Sequence, residues 1–145
     1  MNRVLLSGTA TGPALVLDES LSMWGGLDPE SGEIIDRRHP QSGAIVTGTV
    51  LLLPWGRGSS SASSVLAEAI RRDTAPSAIV MLEPDDIILL GALAADELYG
   101  KTCPVIVVDA ATFDSIEDGA VATVGEDGSV ASKKKDNPPP ARKAR

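Results

Sequence analysis

Short apolar runs alternate along this chain with amphipathic segments, and the alternation predicts an order of strands and helices. A strand buried on both faces reads as an unbroken apolar run, whereas a helix shows apolar residues three and four positions apart. The runs that predict strands are residues 4–6, 14–17, 45–53, 78–82 and 105–108. A helix is predicted over residues 64–72, where Val65, Leu66, Ala69 and Ile70 share one face. A second helix is predicted from Asp85 or Asp86, either of which would cap it, to Tyr99 before Gly100.

This order of elements predicts the fold class. Strands that alternate with helices between residues 45 and 108 favour a parallel sheet with right-handed crossovers. Residues 120–124 and 129–130 flank Glu126-Asp127-Gly128, a combination typical of a closing hairpin. The N-terminal third shows no helical pattern and carries loops rich in turn-forming residues. We therefore expect an α/β domain in which an additional β layer packs on a parallel sheet.

Composition favours one domain with an aliphatic core. Of the 145 residues 43% are hydrophobic but only 3% are aromatic, so Val, Ile, Leu and Ala must fill the core. No apolar run approaches the roughly 20 residues that a membrane span needs, and the N-terminus lacks the pattern of a secretory signal. A single cysteine excludes an internal disulfide. We therefore expect a cytoplasmic protein without a membrane segment.

Charge is distributed unevenly along the chain. The net charge is −7, yet residues 133–145 contain six Lys or Arg and one Asp. The remainder is therefore strongly acidic, which argues against a nucleic-acid surface. The C-terminal stretch also has no apolar side chain larger than Pro. We expect residues 1–130 to form the domain and residues 131–145 to be a disordered, basic, Pro-rich tail.

The most informative stretch follows the predicted strand at residues 45–53. There Gly56-Arg57-Gly58 leads into the serines 59–61 and then into a helix. Free N–H groups and partial positive charge at a helix N-terminus can hold an anion, so a serine oxygen there is favoured as an alkoxide and can act as a base. Two simpler interpretations compete, because serine is a common N-cap and Gly-Arg-Gly can be a tight turn. The spacing does not match a P-loop or a nucleophile elbow.

Further polar segments are expected near the serines. Open α/β sheets bind ligands at the carboxyl ends of their strands, and residues 56–61 and 83–85 both follow predicted strands. The loops around Trp24 and His39 can fold over either segment. Four polar side chains in a row at residues 36–39 should face a partner or substrate rather than the core. The roles of Trp24 and Trp55 remain open, since each side chain can cover a pocket, dock a partner or close the core.

Four motifs, at residues 23–32, 35–40, 53–61 and 83–85, resemble in order the small subunit of aconitase X, which is the mobile swivel domain of the aconitase superfamily. The resemblance covers about residues 3–130 and implies a swivelling β/β/α three-layer domain. It implies that Ser59 is the catalytic base that removes a carbon-bound proton, with Ser60 beside it. Ser61 stands where the superfamily has an arginine, as in the aconitase X branch, which leaves Arg57 and Arg37 as candidates for binding the substrate carboxylate. The residues expected to contact substrate are Gly56, Arg57, Gly58, Ser61, Trp24, Gly25, Gly26, Arg37 and His39.

The resemblance also implies a hydro-lyase that is active only as a heterodimer, or higher assembly, with a large subunit. An iron ion or iron–sulfur cluster would be held by that subunit, because Cys103 is the only thiol here and is expected in the core, while Asp36 and His39 are too few ligands for a metal. The favoured reaction is dehydration of the small hydroxy acid cis-3-hydroxy-L-proline to Δ1-pyrroline-2-carboxylate. Dehydration of mevalonate 5-phosphate is one alternative. A non-catalytic swivelling carrier or binding domain, with His39 as the phosphorylated residue, is another.

Overall fold

The structure, a computed structural model, describes residues 2–57 and 60–134. Its strands are β1 (Arg3–Leu6), β2 (Ala10–Val16), β3 (Leu21–Ser22), β4 (Val50–Leu53), β5 (Gly56–Arg57), β6 (Ala78–Met81), β7 (Val105–Val107), β8 (Val121–Val124) and β9 (Val130–Lys133). Its helices are α1 (Met23–Gly26), α2 (Ser61–Arg71), α3 (Asp86–Tyr99) and α4 (Ala110–Ser115). Within the described residues, no helix combines the length and the apolar character that crossing a membrane requires.

One mixed sheet of seven strands organises the fold, in the order β1-β7-β6-β4-β2-β8-β9. Strands β2, β4, β6 and β7 run parallel to one another. Strand β1 is antiparallel to β7, and β8 is antiparallel to both β2 and β9. The predicted parallel sheet and closing hairpin are therefore confirmed. The antiparallel part continues directly from β2, and the sheet curls into a half-barrel typical of an α/β swivel domain.

Alternate residues of the central strands pack on opposite faces of the sheet. Leu51 and Leu53 of β4 belong to the core beneath α2 and α3. Val50 and Leu52 belong to a second core on the other face of the sheet, which also contains Phe113. Phe113 is the one aromatic residue among these buried side chains, so the core is aliphatic as expected. Complete burial of one such aliphatic side chain stabilises the fold by roughly 1.5–3 kcal/mol. The α2–α3 layer is fixed on the sheet by many contributions of this size.

Helix α3 follows the sequence prediction closely. The Asp85 side chain caps it by accepting hydrogen bonds from the backbone N–H groups of Ile87 and Ile88, at 2.8 and 2.9 Å. Gly100 ends it in the left-handed conformation at φ 64°. Both positions were expected because Asp suits an N-cap and Gly tolerates positive φ.

Two boundaries differ from the sequence predictions. The strand predicted at residues 45–53 is shorter, because Gly48 has φ 73° and the Thr49 hydroxyl donates to the carbonyl of Val46 at 2.7 Å, which forms a turn. Helix α2 begins at Ser61 rather than at residue 64.

Three further features extend the prediction. Helix α4, capped by Asp109, was not predicted. In the N-terminal third, α1 is a kinked turn in which Trp24 and Gly25 have non-helical backbone angles. Strand β9 continues to Lys133, so regular structure extends beyond residue 130.

Candidate functional site

A short parallel pair of strands joins two of the predicted loops. Leu21 of β3 lies opposite Gly56 of β5, and Ser22 lies opposite Arg57. The turn α1 follows β3 directly and lies against α2. The Trp24 loop and the segment that leads to the serines are therefore side by side, although they are more than thirty residues apart in sequence.

Gly56 also contacts the third predicted segment. A Cβ atom added at Gly56 would lie 1.8 Å from Oδ2 of Asp85 and 2.1 Å from its Cγ. No side chain fits at residue 56 while Asp85 caps α3, so glycine is required here by a close approach rather than by a turn. The contact fixes the start of β5 against the N-terminus of α3.

The first turn of α2 leaves hydroxyl groups exposed. Ser60 is at the N-cap position with helical angles, φ −55° and ψ −24°, and its side chain forms no capping hydrogen bond within the described part of the chain. Ser60 and Ser61 are both exposed. The capping interpretation is therefore not supported for Ser60. Gly58 and Ser59, the candidate base, lie outside the described residues, and of Arg57 only the backbone is described.

A cavity of about 480 Å³ opens beside β3. Among the residues predicted to contact substrate, Trp24, Gly25, Gly26 and His39 line it. Trp24 is 62% exposed, and Gly25 has φ 75° with open space where a Cβ would stand. We call this the Trp24 cavity. Trp55, 48% exposed, does not line it, and neither tryptophan closes the core.

His39 differs from expectation because it is buried, with only 6% of its surface exposed. Its Nε2 atom lies 3.1 Å from the carbonyl oxygen of Glu19, and its Nδ1 atom accepts from the backbone N–H of Gln41 at 3.0 Å. Because an amide N–H can only donate, the proton is assigned to Nε2. Burial costs little when both ring nitrogens are satisfied. His39 nevertheless lines the Trp24 cavity, and its ring links the two loops that wall this cavity.

The two neighbouring arginines face different surfaces. Arg38 lines the Trp24 cavity, whereas Arg37 lines a separate depression with Glu33 and Ser42. Both side chains are exposed, and neither forms a salt bridge with another described residue. The structure therefore does not bring Arg37 to the Trp24 cavity and adds Arg38, which sequence reasoning missed. The Arg37-Arg38 pair was visible in the sequence, but only the turn decides which of them faces inward.

The described residues do not fit an iron ion or an iron–sulfur cluster. No group of three or more His, Cys, Asp or Glu side chains among them is close enough together to hold a metal ion. Cys103 is a core residue, as expected, and burial raises the pKa of its thiol to about 12, which disfavours the thiolate that would bind iron. Both nitrogens of His39 are already hydrogen bonded.

Comparisons with known proteins identify the family of this chain. The sequence model of the aconitase X swivel domain matches residues 1–132. A cis-3-hydroxy-L-proline dehydratase of Pseudomonas aeruginosa is 50% identical over 103 residues, which are 71% of this chain and 18% of that protein. A phosphomevalonate dehydratase small subunit of Methanothermobacter thermautotrophicus is 44% identical over 64% of this chain and 71% of that one. The crystal structure of Thermococcus kodakaraensis aconitase X in its holo-form superimposes with a TM-score of 0.81 at 28% identity, covering 91% of this chain and 95% of that chain.

Proposed function

This chain belongs to the aconitase X swivel-domain family, and we propose that it is the small subunit of a hydro-lyase that dehydrates cis-3-hydroxy-L-proline. The observation that carries the proposal is the β3–β5 pair, which sets the Trp24 cavity beside the strand leading to the serines. The 50% identity to the Pseudomonas dehydratase supports the choice of substrate. This chain spans only a fifth of that relative's length, so most of the substrate pocket is assigned to a large subunit.

In the proposed reaction, Ser59 is the base. Its oxygen takes the proton from the carbon that bears the carboxylate, and the hydroxyl on the neighbouring carbon leaves and is protonated to water. The resulting enamine tautomerises to Δ1-pyrroline-2-carboxylate, so the substrate loses one water in total. The N-terminus of α2 stabilises the serine oxyanion through its free N–H groups and its partial positive charge. Ser60 and Ser61 add exposed hydroxyl groups at the same end of the helix.

Partner and cofactor are part of the same proposal. The large subunit supplies the acid for the departing hydroxyl and holds the iron ion or iron–sulfur cluster that the resemblance implies. Trp24 is proposed to pack against the large subunit or the substrate, because a tryptophan exposed to this degree is a typical interface anchor. We place the assembled enzyme in the cytoplasm.

One other function is favoured by a specific observation, and one is disfavoured. The 44% identity to the Methanothermobacter small subunit makes phosphorylated mevalonate the second candidate substrate. A carrier that is phosphorylated on His39 is disfavoured, because that ring is buried and both nitrogens are hydrogen bonded.

The test is turnover by the full chain assembled with its large subunit. Ser59→Ala should lower kcat for cis-3-hydroxy-L-proline about 100-fold or more while the assembly stays intact by light scattering. Ser64→Ala, an exposed serine one turn further along α2, is the matched control and should retain activity. Full activity in Ser59→Ala would remove the serine base from the proposal. If the assembled wild-type enzyme dehydrates only phosphorylated mevalonate, that compound replaces cis-3-hydroxy-L-proline as the proposed substrate.

A further inference from the structure

The charged groups around the Trp24 cavity have mixed signs. Arg38 is the basic residue of its lining, and Glu19 and Asp36 are the acidic ones. We infer that the cavity is the subsite for a zwitterionic amino acid, with the substrate carboxylate on Arg38 and the substrate ammonium on Asp36 and Glu19. The inference rests on the proposed function and deepens it, because it names side chains that select an amino acid over a phosphorylated acid.

Arg38 is suited to bind a carboxylate. Its guanidinium is exposed and forms no salt bridge with a described residue, so its donors are not already used by an acidic neighbour. A guanidinium presents two parallel N–H groups that match the two oxygens of a carboxylate. The backbone N–H of Arg38 donates to Oδ1 of Asp36 at 3.0 Å, which fixes the turn from which the side chain extends. Gly25 and Gly26 line the same cavity without adding side chains to it.

The acidic groups are suited to bind an ammonium. Asp36 is half-buried and uses Oδ1 in the turn, while its Oδ2 accepts no hydrogen bond from the rest of the described chain. Glu19 is exposed, and its carbonyl oxygen is bound by His39. A secondary ammonium between these carboxylates would gain charge-assisted hydrogen bonds. A substrate that carries a phosphate as well as a carboxylate would instead bring several negative charges against them.

Hydrogen bonds hold the two walls of the cavity together. His39 connects the carbonyl of Glu19 to the backbone N–H of Gln41. The Gln41 side chain accepts from the backbone N–H of Asp18 at 3.2 Å and donates to its carboxylate at 2.8 Å. The loop that carries Arg38 and Asp36 is therefore fixed to the loop that carries Glu19. A fixed separation between the basic and acidic groups is what discrimination between ligands requires.

The experiment measures KM and inhibition in the full chain assembled with its large subunit. Arg38→Gln should raise KM for cis-3-hydroxy-L-proline at least tenfold with a smaller change in kcat, and Arg38→Lys should recover part of the loss. Arg72→Gln, at the far end of α2, is the control for neutralising an arginine and should leave KM unchanged. Arg37→Gln compares the two adjacent arginines directly. If Arg37→Gln raises KM as much as Arg38→Gln does, the assignment of the carboxylate to Arg38 is overturned.

Two inhibitors test the acidic half of the subsite. L-proline and cyclopentanecarboxylate share a five-membered ring and a carboxylate, but only L-proline has an ammonium. The wild-type assembly should bind L-proline at least tenfold more tightly than cyclopentanecarboxylate, as measured by calorimetry. The double variant Glu19→Gln/Asp36→Asn should lose this preference. Asn at residue 36 keeps the oxygen that fixes the turn. If the double variant keeps the preference for L-proline, the inference is refuted, even when turnover proceeds. If the double variant loses the preference in an assembly that shows no turnover, the inference is supported and only the dehydratase proposal is contradicted.

Discussion

The contact between Gly56 and Asp85 allows a prediction with a definite magnitude. In Gly56→Ala the new methyl group would lie 1.8 Å from Oδ2, 2.1 Å from Cγ and 2.7 Å from Cβ of Asp85. Real Cβ atoms do not approach other atoms this closely, so the Asp85 side chain must move. It then loses the hydrogen bonds from the backbone N–H groups of Ile87 and Ile88.

The cost has two parts. Loss of the N-cap lowers the free energy of unfolding by about 1 kcal/mol. Forcing a methyl group into an occupied space costs about 1–3 kcal/mol more. We therefore expect Gly56→Ala to lower the free energy of unfolding by about 2–4 kcal/mol, which corresponds to a fall in Tm of roughly 6–16 °C for a chain of this size. The assay is urea unfolding followed by circular dichroism at 222 nm.

A double-mutant cycle isolates the contact. Asp85→Gly removes the carboxylate and costs less than about 1 kcal/mol, because glycine is a fair N-cap. Gly56→Ala should then cost little further, within about 0.5 kcal/mol, in the Asp85→Gly background. Gly43→Ala is the control. Residue 43 has φ 91° and open space around it, so its cost should be the same in both backgrounds. If the costs of Gly56→Ala and Asp85→Gly simply add, crowding by Asp85 is not the reason for glycine at residue 56.

Three further predictions concern stability. Burial raises the pKa of the Cys103 thiol to about 12, so above about pH 9 only the unfolded chain releases this proton. The free energy of unfolding should then fall with pH by up to about 1.4 kcal/mol per unit more steeply than in Cys103→Ala, as measured by urea unfolding between pH 8 and pH 10. The hydrogen bond from the backbone N–H of Thr112 lowers the pKa of Asp109. The contribution of Asp109 to the free energy of unfolding is therefore complete above its unfolded pKa and is lost as pH falls through the lower folded value. Asp109→Asn should make stability less sensitive to acid, and equal midpoints of acid unfolding in the variant and the wild type would contradict this. Gly12→Ala would place a Cβ 2.2 Å from the backbone carbonyl oxygen of Gly48. It should therefore lower Tm more than Gly119→Ala, which has only the strain of φ 83° with nothing within 4 Å, and thermal melts of both variants decide this.

Much of the parallel sheet and its helices was predictable because local interactions decide them. The apolar run at residues 78–82 has the character of a strand buried on both faces whatever its neighbours are, and β6 is that strand. Asp85 and Gly100 bound α3 because an N-cap acceptor and a positive φ are local requirements. The aconitase X resemblance rests on motifs that the chain displays in order, and the swivel-domain match over residues 1–132 confirms it.

Sequence patterns did not predict the local structure where it depends on contacts between distant segments. Apolar periodicity extends the fourth strand back to Ile45, but the turn at Gly48 leaves Ile45 49% exposed. The burial of His39 depends on a carbonyl group twenty residues away, which no local pattern encodes.

The sequence by itself determined the order of the parallel strands and of helices α2 and α3, and the caps of α3, because each depends on neighbouring residues. Only the tertiary structure decided that Arg38 rather than Arg37 lines the cavity, that Trp24 is exposed there, and that Asp85 requires glycine at residue 56. The physical reason is that turn geometry and the packing of remote segments set the direction and surroundings of a side chain.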